Sequence, residues 1–162
     1  MTHVVDFYKR NLKLCYFIAL FIPLLIALVS VFGFNYQISR FNNTYSLPHG
    51  LFITNPFSAP IQCGDYIVFN HIASPDRVIK KVLGVEGDVI GRSANSVWIH
   101  EQQLTLKSTR RNGTKLTPLR TSVVPKGMVF VAGEHVDSFD SRYEEFGLVP
   151  LSEVKGRVWP VL

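Results

Sequence analysis

The chain has 162 residues, of which 17 are basic and 12 are acidic, giving a formal net charge of +5. This length is enough for one membrane anchor and one modest globular domain. The two cysteines, Cys15 and Cys63, fit no metal-ligand spacing, and we predict no disulfide, no metal and no cofactor. Cys63 is interpreted as a small buried apolar residue, because no base stands out near it in the sequence.

The first predicted element is a transmembrane helix. No residue from Leu14 to Phe34 is charged, a run of 21 residues, which at about 1.5 Å per residue crosses the hydrocarbon core of a bilayer, about 30 Å thick. A buried core helix is one alternative, but the run is too long and too uniformly apolar for it. A cleaved signal peptide is the other, but no convincing small-x-small cleavage site ends the run. We therefore predict a retained anchor at residues 14–36.

The charges on either side of this run predict its orientation. Residues 1–13 carry three basic side chains and one acidic side chain, whereas only Arg40 follows the run closely. Because positive residues stay on the cytoplasmic side, residues 1–13 should be cytoplasmic and residues 40–162 should lie outside. In a bacterium this predicts a single-pass protein of the inner membrane, with the lipid bilayer as a partner and a periplasmic domain.

The sequence past residue 40 predicts an all-β, mostly antiparallel domain. Short runs rich in β-branched and aromatic residues alternate there with turn residues, and no amphipathic helical pattern of ten residues occurs. The predicted strands lie near Leu51–Thr54, Asp65–Asn70, Arg77–Leu83, Asp88–Arg92, Val97–Glu101, Gln103–Lys107, Met128–Ala132 and Gly156–Pro160.

A basic insertion at about residues 103–125 interrupts this pattern. It holds the basic residues Lys107, Arg110, Arg111, Lys115 and Arg120 without any acidic residue. No aromatic residue is interleaved with these charges and no nucleic-acid recognition motif surrounds them, so we expect no nucleic-acid partner. We interpret the segment as a solvated loop inserted into the core sheet, with anionic lipid headgroups as an alternative contact.

Lys80 is the clearest candidate for chemistry on the residues alone. Strand side chains alternate between faces, so Lys80 shares a face with Val78 and Val82, while Lys81 falls on the other. A lysine on an apolar face loses hydration, and its pKa falls toward the range in which the neutral amine exists. A neutral amine accepts protons, and the hydroxyl of Ser46 lies upstream as a group to activate.

Other familiar catalytic patterns are absent from the sequence. There is no G-x-S-x-G motif, and the pair His100-Glu101 begins like a zinc-protease motif but lacks the second histidine. His135 lies near Asp137 and Asp140 in the sequence, but no serine within a recognisable nucleophile motif completes a Ser-His-Asp triad with them. We interpret His135 as a surface or supporting residue.

Three segments follow one another in the order Thr44–Leu51, Arg77–Asp88 and Gly133–Gly147. Together they resemble the type I signal peptidases, which are membrane-bound serine proteases with a Ser-Lys dyad. The resemblance implies that Ser46 is the nucleophile and that Lys80 is its general base. It also implies that Thr44, with the backbone N–H of Ser46, binds the oxyanion.

The third segment is similar to the family's S-x-D-S-R box. The resemblance implies that Ser138 orients the lysine amine and that Asp140 and Arg142 form a supporting ion pair. Glu134-His135 replaces the family's usual Asp-Asn. The resemblance therefore implies no role for these two residues near the dyad, but neither dyad residue is changed. A further match, Gly64–Phe69, implies a signal-peptidase-like β fold when taken with the others.

The motif Ser-Leu-Pro-x-Gly-Leu from Ser46 to Leu51, the short chain and the single span are similar to the conjugative-transfer branch of the family. Its TraF-type peptidases mature pilin precursors, and some of them join the pilin ends into a ring. The resemblance implies a membrane-anchored serine endopeptidase that cleaves signal or leader peptides from exported precursors. Its expected partner is a membrane-tethered precursor, with a pilin precursor as the favoured substrate.

Two alternatives remain at this point. One is a structural subunit of a transfer or secretion apparatus without catalysis, against which the intact set of Ser46, Lys80, Ser138 and Asp140 argues. The other is a self-cleaving repressor with the same Ser-Lys chemistry. Such a repressor needs a DNA-binding domain where this chain has its predicted span.

Overall fold

The computed structural model describes residues 2–35, 37–40, 47–48, 51–55, 60–72 and 74–161. The chain forms two compact units, Met1–Gln37 and Ile38–Leu162. Thr44 and Ser46, both predicted for the catalytic site, lie outside the described residues, as does Tyr36 at the end of the predicted anchor.

The first unit consists of one helix, α1 (Thr2–Asn35), which includes Pro23. The uncharged run from Leu14 to Phe34 falls within α1. In the part of the chain that the structure describes, no helix combines the length and the apolarity required to cross a membrane. The prediction of an anchor at residues 14–36 is therefore not confirmed.

The chain past α1 is built of β-strands. The seven-stranded sheet has the order β1–β2–β10–β3–β4–β8–β9, and β5–β6–β7 form a second sheet. From β2 onward every described pairing between strands is antiparallel, which confirms the all-β prediction. The strands are β1 (Gln37–Arg40), β2 (Leu51–Asn55), β3 (Tyr66–His71), β4 (Ser74–Gly84), β5 (Ile90–Arg92), β6 (Ser96–Ile99), β7 (Gln102–Thr105), β8 (Met128–Ala132), β9 (Val149–Pro150) and β10 (Val154–Pro160), with a 3-10 turn at Leu151–Glu153.

Some strand positions differ from the prediction for reasons of pairing. The short strand β9 was not predicted, because two residues show no alternation; it is fixed by the pairing of Val149 with Val129. Strand β4 begins at Ser74 rather than at Arg77, since Ser74 pairs with His71 of β3. Strand β1 was not predicted either.

Apolar side chains of the described residues form three clusters. The first includes Ile67, Phe69 and Val82, and the third includes Val68 and Ile79. Adjacent residues of one strand thus enter different clusters, because side chains alternate across a strand. The central sheet is therefore buried on both faces. A second cluster joins β5, β6 and β8 through residues such as Ile90, Ile99 and Phe130.

The basic insertion is only partly a solvated loop. Its basic side chains are exposed, as predicted, but Leu119 and Val124 are buried in the second cluster. The backbone N–H of Leu119 also donates to the carbonyl of Arg142 at 2.8 Å. The interpretation as a loop surrounded by solvent is therefore wrong for these two apolar residues, which pack with residues of β5, β6 and β8.

Candidate active site

Lys80 lies on β4, paired with Ile67 of β3. The residue is only 3% exposed. It shares its face of the strand with Val82, which belongs to the first apolar cluster, and with Val78, which packs against that cluster. The side chain of Lys81 is 35% exposed. The predicted difference between the two lysines is therefore confirmed, since alternation along β4 buries the first and leaves the second accessible.

The apolar surroundings of Lys80 change its protonation. Burial is the largest cause and lowers the pKa of Lys80 to about 8. The negative charge of Asp140 raises this pKa, while the positive charge of Arg142 lowers it. At pH 7, about one amine in ten is neutral, since the pH lies about one unit below the pKa. Lys80 is therefore equipped to accept a proton near neutral pH.

Ser138 determines the direction of this amine. The Nζ atom of Lys80 donates a hydrogen bond to Ser138 Oγ at 2.8 Å, and the Ser138 side chain is buried. Ser138 follows β8, in a loop where its own N–H donates to the carbonyl of His135 at 3.0 Å. Two segments far apart in sequence thus meet at the Lys80 amine.

Asp140 and Arg142 form a buried bidentate ion pair beside this contact. Arg142 Nε lies 2.8 Å from Asp140 Oδ1, and Arg142 Nη2 lies 2.8 Å from Asp140 Oδ2. The remaining polar atoms are also satisfied, because Gly133 N–H donates to the carboxylate at 3.0 Å and Arg142 Nη1 donates to the carbonyl of Thr105 at 3.0 Å. A pair with this many hydrogen bonds fixes the backbone that presents Ser138.

Ser141 anchors the same loop, a role that was not predicted from the sequence. Its backbone N–H donates to the carbonyl of Val131, and its Oγ accepts from the N–H of Val131. Ser141 is fully buried. The second serine of the S-x-D-S-R box was the signal for it in the sequence, and its function here is to attach the loop to β8.

The backbone after Lys80 requires glycine at positions 84 and 87 for steric and conformational reasons. A Cβ atom on Gly84 would lie 2.1 Å from Cδ1 of Ile99, so only glycine fits there without displacing that side chain. Gly87 has a φ of +89°, which favours glycine. The carboxylate of Asp88 then accepts from the N–H of Val85 at 2.7 Å. This turn follows the end of β4 at Gly84, three residues after Lys81.

Glu134 connects the loop after β8, which also carries Ser138, to β3 and β4. Its carboxylate accepts a hydrogen bond from the hydroxyl of Tyr66 and lies 3.6 Å from Nζ of Lys81. Partial burial and the contact with Glu134 raise the pKa of Tyr66 to about 12. Glu134, which differs from the family's usual residue at this position, therefore links the loop to Tyr66 and Lys81. His135 beside it is exposed, as predicted.

A second group of polar side chains, not predicted from the sequence, lies around Cys63. Cys63 is exposed, which corrects its interpretation as a buried apolar residue. Its Sγ lies 3.6 Å from Asp88 Oδ2 and 3.8 Å from His100 Nε2. Partial burial and the charge of Asp88 raise the pKa of the Cys63 thiol, the opposite of what a nucleophilic cysteine requires. These residues come from three distant segments, so no local spacing indicated them.

Comparison with known proteins places nearly the whole chain in one protein family. A family model described as signal peptidase, peptidase S26, matches residues 9–162. The mitochondrial ATP-independent inner membrane protease subunit 1b of Arabidopsis thaliana is 38% identical over 103 residues, which cover 60% of this chain and 50% of that protein. The chain thus spans about half the length of this curated relative. A crystal structure of a signal peptidase I from Enterococcus faecalis is similar at 26% identity and a TM-score of 0.44, over 61% of this chain and 97% of that chain.

Proposed function

This chain belongs to the signal peptidase family, peptidase S26, and we propose that it is a serine endopeptidase that removes signal or leader peptides from exported precursors. The observation that carries the proposal is the buried amine of Lys80, held 2.8 Å from Ser138 Oγ with its pKa lowered to about 8. Such a lysine is a general base near neutral pH.

In the proposed reaction, neutral Lys80 accepts the proton of the Ser46 hydroxyl as Ser46 Oγ attacks the carbonyl carbon of the scissile peptide bond. The hydroxyl of Thr44 and the N–H of Ser46 donate to the oxyanion, each contributing about 3–4 kcal/mol. Lys80 then returns the proton to the leaving amine, which leaves an acyl-enzyme. Lys80 then removes a proton from water, whose oxygen attacks the carbonyl carbon of this ester. The bond between the acyl carbon and Ser46 Oγ breaks, Lys80 returns the proton to Ser46 Oγ, and the second product leaves as a carboxylic acid.

The position of Leu47 supports this pairing of residues. Leu47 directly follows Ser46 and packs against the third apolar cluster. That cluster also contains Ile79, which directly precedes Lys80 in β4. The neighbours in sequence of the proposed nucleophile and of the proposed base therefore belong to the same cluster.

We further propose a single-pass anchor at residues 14–36, with residues 1–13 in the cytoplasm and the β domain in the periplasm. The support is the uncharged run from Leu14 to Phe34 and the basic residues that precede it. The Arabidopsis relative is named as an inner membrane protease. An anchored enzyme would meet precursors that are tethered to the bilayer by their own apolar segments.

The proposed substrate is a conjugative pilin precursor. The support is the motif Ser-Leu-Pro-x-Gly-Leu that begins at Ser46. In this proposal the precursor lies as an added strand beside the site, so that main-chain hydrogen bonds hold it and alternate side chains enter the pockets.

Cleavage should depend on pH in the manner of a lysine base with a lowered pKa. Protonated Lys80 cannot accept the Ser46 proton, so below pH 8 we expect kcat/KM to fall by about tenfold per pH unit. Above about pH 8 it should reach a plateau. The measurement is the pH profile of kcat/KM with a precursor peptide that has no titratable group near its cleavage site. A flat profile from about pH 6 to about pH 9, or a midpoint near 10.5, the ordinary value for lysine, contradicts the assignment.

The proposed activity is tested with a panel of co-expressed membrane-tethered precursors, including a pilin precursor. We expect the wild type to cleave at least one of them and Ser46→Ala to cleave none, because the mutant lacks the attacking oxygen. Ser152→Ala, at an exposed serine of the 3-10 turn, is the matched control and should cleave normally. The product mass distinguishes hydrolysis from ring closure. Cleavage retained in Ser46→Ala, or none by folded wild type, is evidence against the proposal.

A further inference from the structure

Three different donor atoms converge on one side of the β domain. Cys63 lies just before β3, Asp88 in the turn after β4, and His100 in the two-residue loop between β6 and β7. Their atoms Sγ, Oδ2 and Nε2 all lie within 4.8 Å of one another. Each is a ligand atom of a kind that proteins use for transition metals.

The distances between these donors match the edges of a metal tetrahedron. Bond lengths to zinc of about 2.3 Å for sulfur and about 2.0–2.1 Å for nitrogen and oxygen give edges of about 3.5 Å from sulfur and about 3.3 Å between nitrogen and oxygen. The structure has 3.6 Å between Sγ and Oδ2, 3.8 Å between Sγ and Nε2, and 3.0 Å between Nε2 and Oδ2. Side-chain shifts of a few tenths of an ångström would bring the three atoms around one ion.

The arrangement does not fit a Cys-His-Asp catalytic triad. In such a triad the carboxylate holds one imidazole nitrogen and the thiol faces the other. Here Asp88 and Cys63 both face Nε2 of His100. The same nitrogen of His100 would therefore have to bind Asp88 and deprotonate Cys63, which a triad does not allow. A metal ion, in contrast, requires its ligand atoms to converge on one point, as these do.

The surroundings leave space for a fourth ligand. A cavity of about 540 Å³ adjoins the donors and is lined by Cys63 and His100, with Lys81, Val82 and Leu83 of β4 also in its wall. Asp88 is positioned independently of any ion, because its Oδ2 accepts from the N–H of Val85 at 2.7 Å. Sites with three protein ligands and one open position take water or a substrate atom as the fourth.

We propose that Cys63, Asp88 and His100 bind one zinc ion, with water in the open fourth position. A thiolate and a carboxylate together neutralise the charge of a divalent cation. A set of one sulfur, one nitrogen and one oxygen suits zinc rather than the hard cations magnesium and calcium, which prefer oxygen ligands alone. The ion would connect the segment before β3 with the turns that end β4 and β6.

The test uses cobalt(II) as a spectroscopic probe on the reduced, metal-free, full-length chain. We expect a 1:1 complex with tetrahedral d–d bands and a thiolate-to-cobalt charge-transfer band, both removed when zinc is added. Cys63→Ser should abolish the charge-transfer band, while Cys15→Ser, at the other cysteine of the chain, should retain it. His100→Ala should weaken cobalt binding by at least about tenfold.

Three outcomes overturn the proposal: no charge-transfer band in the wild type, a band that persists in Cys63→Ser, or unchanged affinity in His100→Ala. Asp88 is left unmutated in the first round, because it also accepts the N–H of Val85 and its loss would disturb the turn. Circular dichroism of each variant establishes that a lost band reflects a lost ligand rather than unfolding. The cobalt spectrum does not depend on peptidase activity, so the metal site and the proposed function are tested independently.

Discussion

Lys80→Ala is expected to lower kcat/KM for precursor cleavage by at least about 10³-fold. Lys80 is 3% exposed, its amine contacts Ser138 Oγ, and burial lowers its pKa to about 8. No other lysine among the described residues contacts Ser138 in this way. The measurement is single-turnover cleavage of a membrane-tethered precursor by purified wild type and variant.

Two further variants separate catalysis from folding. Lys80→Met replaces the amine with an uncharged side chain of similar length that fills the same buried space. The variant should therefore fold and be inactive. Lys81→Ala is the matched control at the next residue. Its side chain is 35% exposed and contacts Glu134 at 3.6 Å, an ion pair of a kind that contributes at most about 1 kcal/mol, so we expect most of the activity to be retained. Equal loss in Lys80→Met and Lys81→Ala would refute the assignment of faces on β4.

Arg142→Ala is expected to destabilise the β domain by about 3–5 kcal/mol. The substitution leaves the carboxylate of Asp140, which is fully buried, without the guanidinium that satisfies both of its oxygens. It also removes the hydrogen bond to the carbonyl of Thr105. The measurement is the free energy of unfolding from urea denaturation, followed by tryptophan fluorescence.

The matched control is the exposed ion pair between Arg111 and Asp137. Its nitrogen and oxygen lie 2.9 Å apart, but the Arg111 side chain is 72% exposed. Exposed pairs contribute about 0–1 kcal/mol, so Arg111→Ala should have little effect on the free energy of unfolding. The double variant Asp140→Asn/Arg142→Met should be more stable than Arg142→Ala, because it leaves no buried charge unpaired. If Arg142→Ala is as mild as Arg111→Ala, the pair does not hold the site loop.

The pair of Asp140 and Arg142 also has an electrostatic effect on Lys80. The charge of Asp140 raises the pKa of Lys80, and that of Arg142 lowers it. The two effects oppose each other because the charges have opposite signs, and two hydrogen bonds hold these charges side by side. Burial therefore remains the dominant cause of the lowered pKa, and the loop contributes chiefly by positioning Ser138.

Local patterns in the sequence were sufficient for the all-β class, for most strands and for the choice of Lys80 over Lys81. The physical reason is that a strand alternates its side chains between two faces, so a sequence of apolar neighbours two residues apart predicts burial without knowledge of the partner strands. The ordered motifs added Ser138, Asp140 and Arg142, which the structure brings together at the Lys80 amine. Ser46 and Thr44 stay predictions, since they lie outside the described residues.

Only the tertiary structure decided the features that depend on distant segments. The convergence of Cys63, Asp88 and His100 needs the turns after β4 and β6 to meet the segment before β3, and no spacing in the sequence encodes that meeting. The burial of Leu119 and Val124 within a basic insertion depends likewise on the neighbouring cluster. Alternation and turn residues are local properties that a sequence displays directly, whereas contacts between segments follow from strand order and register, which are set by packing of the whole domain.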